Sequence, residues 1–153
     1  MMTRITRRTL LSGTASLAAI AGLGLLARPA WASTEAAQEA VDAFTGGKKP
    51  ETGKITLTAP EIAENGNSVP VTVEVDSPMT EGDYVASVTI LADGNPNPEV
   101  ATFHFTPMSG AAAATTRIRL AKTQNVMAIA KMSDGSVYSD QKEVKVTIGG
   151  CGG

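Results

Sequence analysis

Val69-Pro70-Val71-Thr72-Val73-Glu74-Val75-Asp76 is the stretch that decides the fold. Valine fills every odd position, and proline, threonine, glutamate and aspartate fill the even ones. A period of two gives a β-strand with one buried face and one solvated face. Pro70 has no N–H to give to a ladder, so the start of this strand belongs near a sheet edge. The same alternation recurs in Tyr84, Ala86, Val88 and Ile90, in Ala101, Phe103 and Phe105, in Ile118 and Leu120 between Arg117 and Arg119, and in Val144, Val146 and Ile148. Residues 54–58 and 125–132 fit less regular strands. Turn-forming pairs separate them: Asn65-Gly66-Asn67, Glu81-Gly82, Asp93-Gly94-Asn95-Pro96, Ser109-Gly110 and Asp134-Gly135. Seven short strands so punctuated predict an all-β, immunoglobulin-like antiparallel β-sandwich. Apart from the alanine run at 111–114, no repeat or low-complexity segment interrupts it.

Upstream of the strands the period changes. Ala36, Ala37, Ala40, Val41 and Phe44 recur at three- and four-residue spacing over 34–44, and Gly46-Gly47 ends the pattern, so a short amphipathic helix is expected there. Residues 1–32 read as an export signal. Arg4, Arg7 and Arg8 form a basic start, residues 10–26 are uncharged and rich in Leu, Ala and Gly, and Ala30-Trp31-Ala32 supplies a small-x-small cleavage site before Ser33. Thr6-Arg7-Arg8-Thr9-Leu10-Leu11 is similar to the twin-arginine signal, which carries proteins already folded. A general secretory signal or an uncleaved anchor is the competing reading. The organisation expected is therefore a signal at 1–32, a sandwich with its helix at 33–148 and a tail at 149–153, with the periplasm as destination.

Composition narrows the chemistry. The 153 residues include one cysteine and one histidine, which excludes a Cys/His zinc site, an internal disulfide framework and a CxxC redox pair within one chain. Serine-protease-type chemistry would have to use His104. Removal of residues 1–32 takes away four arginines and leaves nine basic residues against fifteen acidic ones, a net charge of −6. Such a surface repels nucleic acid and other polyanions. His104 lies between Phe103 and Phe105, so alternation turns it to the surface. Met79, Met108, Met127 and Met132 are residues of a type that suits Cu(I), yet their scattered spacing is that of packing residues. Arg117 and Arg119 share one strand face, where they either steer an anion or line an edge or subunit contact. The Asn-rich segments at 65–67 and 95–98 read first as turns, with a partner-binding loop as the alternative that sequence physics does not support.

Cys151 remains. It stands in Gly149-Gly150-Cys151-Gly152-Gly153 directly after the last strand, and four glycines give a slim, flexible arm with no side chain to pack. At about 3.3–3.6 Å per residue the five residues reach roughly 17 Å when extended. No base or helix N-terminus stands beside the thiol in sequence, and the terminal carboxylate discourages its ionisation. A partner's active site is then expected to activate it, with Cys151 as a covalent attachment point and none of the chain's residues as catalysts. Competing readings are an intermolecular disulfide and a ubiquitin-like sulfur carrier ending in Gly-Gly; export and the sandwich pattern argue against the latter. A lipoprotein anchor would place its cysteine just after the signal.

Val146-Thr147-Ile148-Gly149-Gly150-Cys151-Gly152-Gly153 resembles the ending of the SoxY family, the sulfur-carrier subunit of the bacterial thiosulfate-oxidising Sox system. Pro60-Glu61-Ile62-Ala63-Glu64-Asn65-Gly66-Asn67, Val69-Pro70-Val71, Ser77-Pro78-Met79, Asn95-Pro96-Asn97-Pro98 and Arg117-Ile118-Arg119-Leu120-Ala121 agree with it. The resemblance implies a periplasmic heterodimer with SoxZ, exported together. It further implies that the SoxXA cytochrome joins thiosulfate to Cys151, that the SoxB hydrolase releases sulfate, and that the SoxCD sulfane dehydrogenase, where present, oxidises the persulfide left behind. The carrier itself needs no cofactor and no metal. From a different class, the alternative is a periplasmic immunoglobulin-like adaptor or metal-handling protein whose Cys151 forms intermolecular disulfides. The export reading has a direct check: with Arg7 and Arg8 both replaced by lysine, cell fractionation and N-terminal sequencing are expected to find the precursor unprocessed in the cytoplasm. Periplasmic protein beginning at Ser33 would refute a twin-arginine route.

Overall fold

The computed structural model describes residues 31–150, with side chains from Glu35 onward. Residues 1–30 of the expected signal, and Cys151, Gly152 and Gly153, lie outside the described residues.

The decisive stretch folds as its alternation requires. Strand β4 (Val69–Val75) buries Val69, Val71, Val73 and Val75 and turns Pro70 and Glu74 to solvent. It is the middle strand of a three-stranded antiparallel sheet, between β2 (Ile55–Thr58) and β7 (Ala112–Ile118). The β2 register covers only residues 72–75 of β4, so Pro70 extends past the end of that neighbour.

Opposite lies the larger sheet, ordered β1 (Glu51–Thr52), β9 (Val137–Ile148), β8 (Gln124–Met132), β5 (Val85–Ala92) and β6 (Glu99–His104), with β3 (Ile62–Asn65) also paired to β9. One core fills the space between the sheets. Val69, Val71 and Val73 meet Val88, Ile90, Val126, Ala128 and Val144, all essentially inaccessible. Fully burying a valine or isoleucine stabilises by about 1.5–3 kcal/mol, so no disulfide is needed to hold the sheets together.

Strand β5 is buried along most of both faces, which strand alternation alone does not produce. Helix α1 (Trp31–Thr45) explains it. Val41 presses Leu91 and Ile129 on the outer face of the large sheet, with Ala40, Phe44 and Met127 at the margin, and Ala37 is also buried. The helix begins at Trp31, inside the small-x-small segment read as a cleavage site, and stops at Gly46 and Gly47, both at positive φ.

Four departures from the sequence reading have local causes. Nine strands form rather than seven, because β1 and β3 pair in parallel with β9; each is too short to show a period. The alanines at 111–114 are not a featureless run, since 112–114 lie in β7 opposite Val75, Glu74 and Val73. Strand β9 starts at Val137, well before Val144, because β8 supplies backbone partners for the polar stretch 139–143. Asp140 in that stretch accepts a 2.8 Å hydrogen bond from the Leu57 N–H, tying the two sheets. Leu120, read as a strand residue, lies beyond β7 although fully buried.

Ile129→Ala removes a fully buried side chain between helix and sheet and is expected to cost about 2–5 kcal/mol in urea unfolding. Ile62→Ala, at a position 62% exposed, is expected to stay within about 0.5 kcal/mol of the parent.

Candidate functional site

The last described residues leave β9 at its C-terminal end, where three stretches of backbone converge. Gly66, just after β3, donates its N–H to the Ile148 carbonyl at 2.7 Å. Its own carbonyl accepts the Leu120 N–H at 2.8 Å, and the Leu120 carbonyl accepts the Gly150 N–H at 2.9 Å. The tail is thus stitched to the body one residue before Cys151.

This convergence leaves no room for side chains. A methyl group on Gly66 would collide with the Leu120 carbonyl oxygen and lie 2.7 Å from the Gly150 nitrogen. One on Gly149 would strike the Ala121 carbonyl oxygen, and one on Gly150 would sit 2.8 Å from the Gly66 oxygen. Gly66 and Gly150 are both buried. Glycine at 149 and 150 therefore has a use that composition does not announce: these two residues form the packed root of the tail.

Leu120 is the fixed point. Its side chain is wholly buried in the core, and the two peptide groups flanking it are each held from both sides. In the first, the Leu120 N–H goes to Gly66 while the Arg119 carbonyl accepts from Asn95 Nδ2 at 2.8 Å. In the second, the Leu120 carbonyl takes the Gly150 N–H while the Ala121 N–H donates to Asn95 Oδ1 at 3.0 Å. The side-chain amide of Asn95 thus stands where a neighbouring strand's backbone would. Asn95 is 2% exposed, and Gln124 Nε2 donates to its Oδ1 at 2.9 Å. Gln124 also bonds the Lys122 carbonyl and accepts from the Gly94 N–H. Thr123 Oγ1 closes the loop by accepting from Val146 N–H at 2.9 Å.

The other candidate residues are dispersed. His104 is exposed at the end of the edge strand β6. Arg117 and Arg119 border an open recess of about 290 Å³ with Asn97 and Glu99, and Arg117 Nη1 reaches Ser68 Oγ at 3.3 Å. Met79 and Met132 are in the core, Met127 lies under the helix, and Met108 is exposed. Among the described residues no three His, Cys, Asp or Glu side chains form a group able to hold a metal ion. Asp134 lies in the turn between β8 and β9, where the Ser136 hydroxyl and N–H bond its carboxylate and hold it below the ordinary aspartate range. Gly66 and Asn95 lie in segments that carry the family resemblance, yet the sequence shows for neither of them, nor for Gln124, what it bonds to. The first two read as turn residues, and their partners lie tens of residues away.

Comparison with known proteins places this geometry. The family described as "Sulfur oxidation protein SoxY" matches residues 41–151. Among solved structures, the sulfur carrier protein SoxY from Chlorobium limicola f thiosulfatophilum aligns at 36% identity and a TM-score of 0.60, covering 76% of this chain and 99% of its own. A superoxide reductase (neelaredoxin) variant from Ignicoccus hospitalis aligns at 23% identity and a TM-score of 0.56, over 63% of this chain and 82% of its own. A putative superoxide reductase from Thermotoga maritima aligns at 19% identity and a TM-score of 0.52, over 67% and 89%. The last two likenesses concern the fold alone. No curated protein matches the chain.

Gly66→Ala is expected to lower the urea midpoint, at a cost of about 1–3 kcal/mol, because the added methyl meets the backbone of Leu120 and Gly150 as well as the Val146 side chain. Gly82→Ala, with no atom within 4 Å of the new methyl, is expected to be near neutral.

Proposed function

The chain belongs to the SoxY family of sulfur oxidation proteins, whose role is to carry sulfur, and from that premise we propose that Cys151 is the attachment point for thiosulfate-derived cargo. The observation that carries this reading is positional. The family match runs to residue 151, and residue 151 is the chain's only cysteine, one residue beyond the packed root at Gly150.

In the loading step, the thiol of Cys151 loses its proton and a sulfur–sulfur bond forms to the sulfane sulfur of thiosulfate. Two electrons leave one at a time, each reducing one oxidised haem iron of a cytochrome partner such as SoxXA. In the release step, water attacks the terminal sulfonate sulfur. The bond from that sulfur to the sulfane sulfur breaks, sulfate departs with the water oxygen, the two protons of the water are released, and the electron pair stays on the sulfane sulfur as a persulfide of Cys151. A SoxB-type hydrolase performs this step, and a SoxCD-type dehydrogenase oxidises the persulfide sulfur in turn. The carrier supplies presentation, so the chain needs a reachable thiol more than an activated one. A single thiol has a further merit here: no internal cysteine competes for the cargo by disulfide exchange.

Export through residues 1–32 to the periplasm, in company with a SoxZ subunit, completes the reading. The acidic mature chain suits a soluble carrier that must not adhere to anionic surfaces.

Intact-mass spectrometry of the protein incubated with thiosulfate, oxidised cytochrome and loading enzyme is expected to show a reductant-sensitive thiosulfate adduct on Cys151, absent from Cys151→Ser. An adduct on the serine variant would refute the assignment. A reductant-sensitive dimer with no adduct would replace the carrier with a disulfide-forming adaptor.

A further inference from the structure

We propose that Asn95 and Gln124 are positioning residues for the carrier thiol, acting through the Leu120-Ala121 turn on Gly149 and Gly150. The proposal rests on Cys151 being the carrier residue, and it concerns where that residue is held.

Neither side chain is bonded to the tail. Asn95 spends its amide on the two peptide groups around Leu120, donating to the Arg119 carbonyl and accepting from the Ala121 N–H. In a trans peptide the carbonyl and N–H point in opposite directions. Fixing one end of each group from the Asn95 side therefore aims the other end at the opposite side. There the Leu120 N–H meets Gly66 and the Leu120 carbonyl meets Gly150. The Ala121 carbonyl, one residue farther along the same turn, is the group against which Gly149 packs. Gln124 orients Asn95 in turn, since its Nε2 donates to Asn95 Oδ1 while its Oε1 holds Gly94. Buried polar side chains at 2% and 5% exposure that serve one turn so completely are a costly way to shape a loop. The clasp on the tail is what that turn accomplishes.

The consequence for the carrier is a shorter lever. Consecutive Cα atoms are about 3.8 Å apart, so Cys151 is tethered that close to a buried, hydrogen-bonded residue. An enzyme that takes the thiol must then meet the end of the sandwich formed by Gly66 and the Leu120-Ala121 turn.

Two readouts on the full-length mature chain test this. Amide hydrogen exchange at Gly150 is expected to be protected in the parent and faster by about tenfold or more in Asn95→Ala, with the β5 and β8 amides at parent rates. A nitroxide attached to Cys151, the chain's single thiol, is expected to give broad lines in the parent and narrower lines in Asn95→Ala and Gly149→Ala. Gln124→Ala removes the donor that orients Asn95 and leaves both Asn95 bonds to the turn possible, so an intermediate line width is expected. That variant decides the matter if Asn95→Ala does not fold. Unprotected Gly150 with narrow lines in the parent, or line shapes the same in all folded variants, would overturn the proposal while leaving thiosulfate loading intact. Failure of loading on Cys151 would instead overturn the carrier reading and leave these line shapes as they are.

Discussion

The peptide groups on either side of Leu120 have all four of their polar atoms spoken for, and the end of the sandwich from which the tail leaves is built around that constraint. A buried leucine side chain fixes where the turn sits, and Asn95 fixes how it faces. The remaining donor and acceptor then have one direction available, toward Gly66 and Gly150. Buried backbone groups must be paired, at a cost of about 1–3 kcal/mol for each one left open. The turn is consequently rigid without belonging to a strand. Segments distant in sequence, at 66, 95, 120 and 150, become one structural unit.

The rest of the sandwich holds those segments at the right separation. Strand β9 is long enough to pair with β8 along its first part and with β3 along its last, so Gly66 and Gly150 emerge side by side at the same end. The parallel pairing of β3 matters here, because it points the end of β3 in the direction in which β9 leaves the sheet. Strand β8 begins at Gln124, directly after the turn, which places the Gln124 amide against Asn95. Helix α1 closes the outer face over Leu91 and Ile129, so that β5 and β8 are packed on both sides and the loops between them inherit a stiff base. The likeness to the two superoxide reductase structures extends to this framework alone.

The sandwich was legible wherever an apolar period ran for four residues or more. Valines at 69, 71, 73 and 75 announced β4, and Ala37, Val41 and Phe44 announced the helix face. Legibility failed where backbone partners rather than side chains make the strand. Residues 139–143 are polar and the pairs at 51–52 are too short, yet each lies beside a strand that supplies its hydrogen bonds. Much of the site was hidden for the same reason. Asn95 in Asp93-Gly94-Asn95-Pro96 has the look of a turn former, and only the fold brings the Arg119 and Ala121 backbone to its amide. The cysteine and its glycines were visible because no spatial partner is needed to notice them.

Glycine has two physical uses, and the tail shows why they must be told apart. One is conformational freedom, which composition alone suggests for any run of glycines. The other is the absence of Cβ, which lets backbones touch. At Gly149 and Gly150 the second applies: a methyl on either would meet the backbone of Ala121 or Gly66, and neither residue requires a positive φ. The distinction changes what a carrier gains from such residues. Freedom would extend the reach of the thiol but spread it over many positions, and each enzyme would have to recover that ordering entropy on binding. Close backbone packing at the root gives up reach, and under the proposed carrier role that trade favours presenting the attachment point to an enzyme docked at that end of the sandwich. A carrier that serves successive enzymes gains when all of them meet the cargo at the same place relative to the same surface. A root held at Gly150 by the Gly66 and Leu120 backbone, with the Asn95 amide setting that turn, fits the proposed carrier.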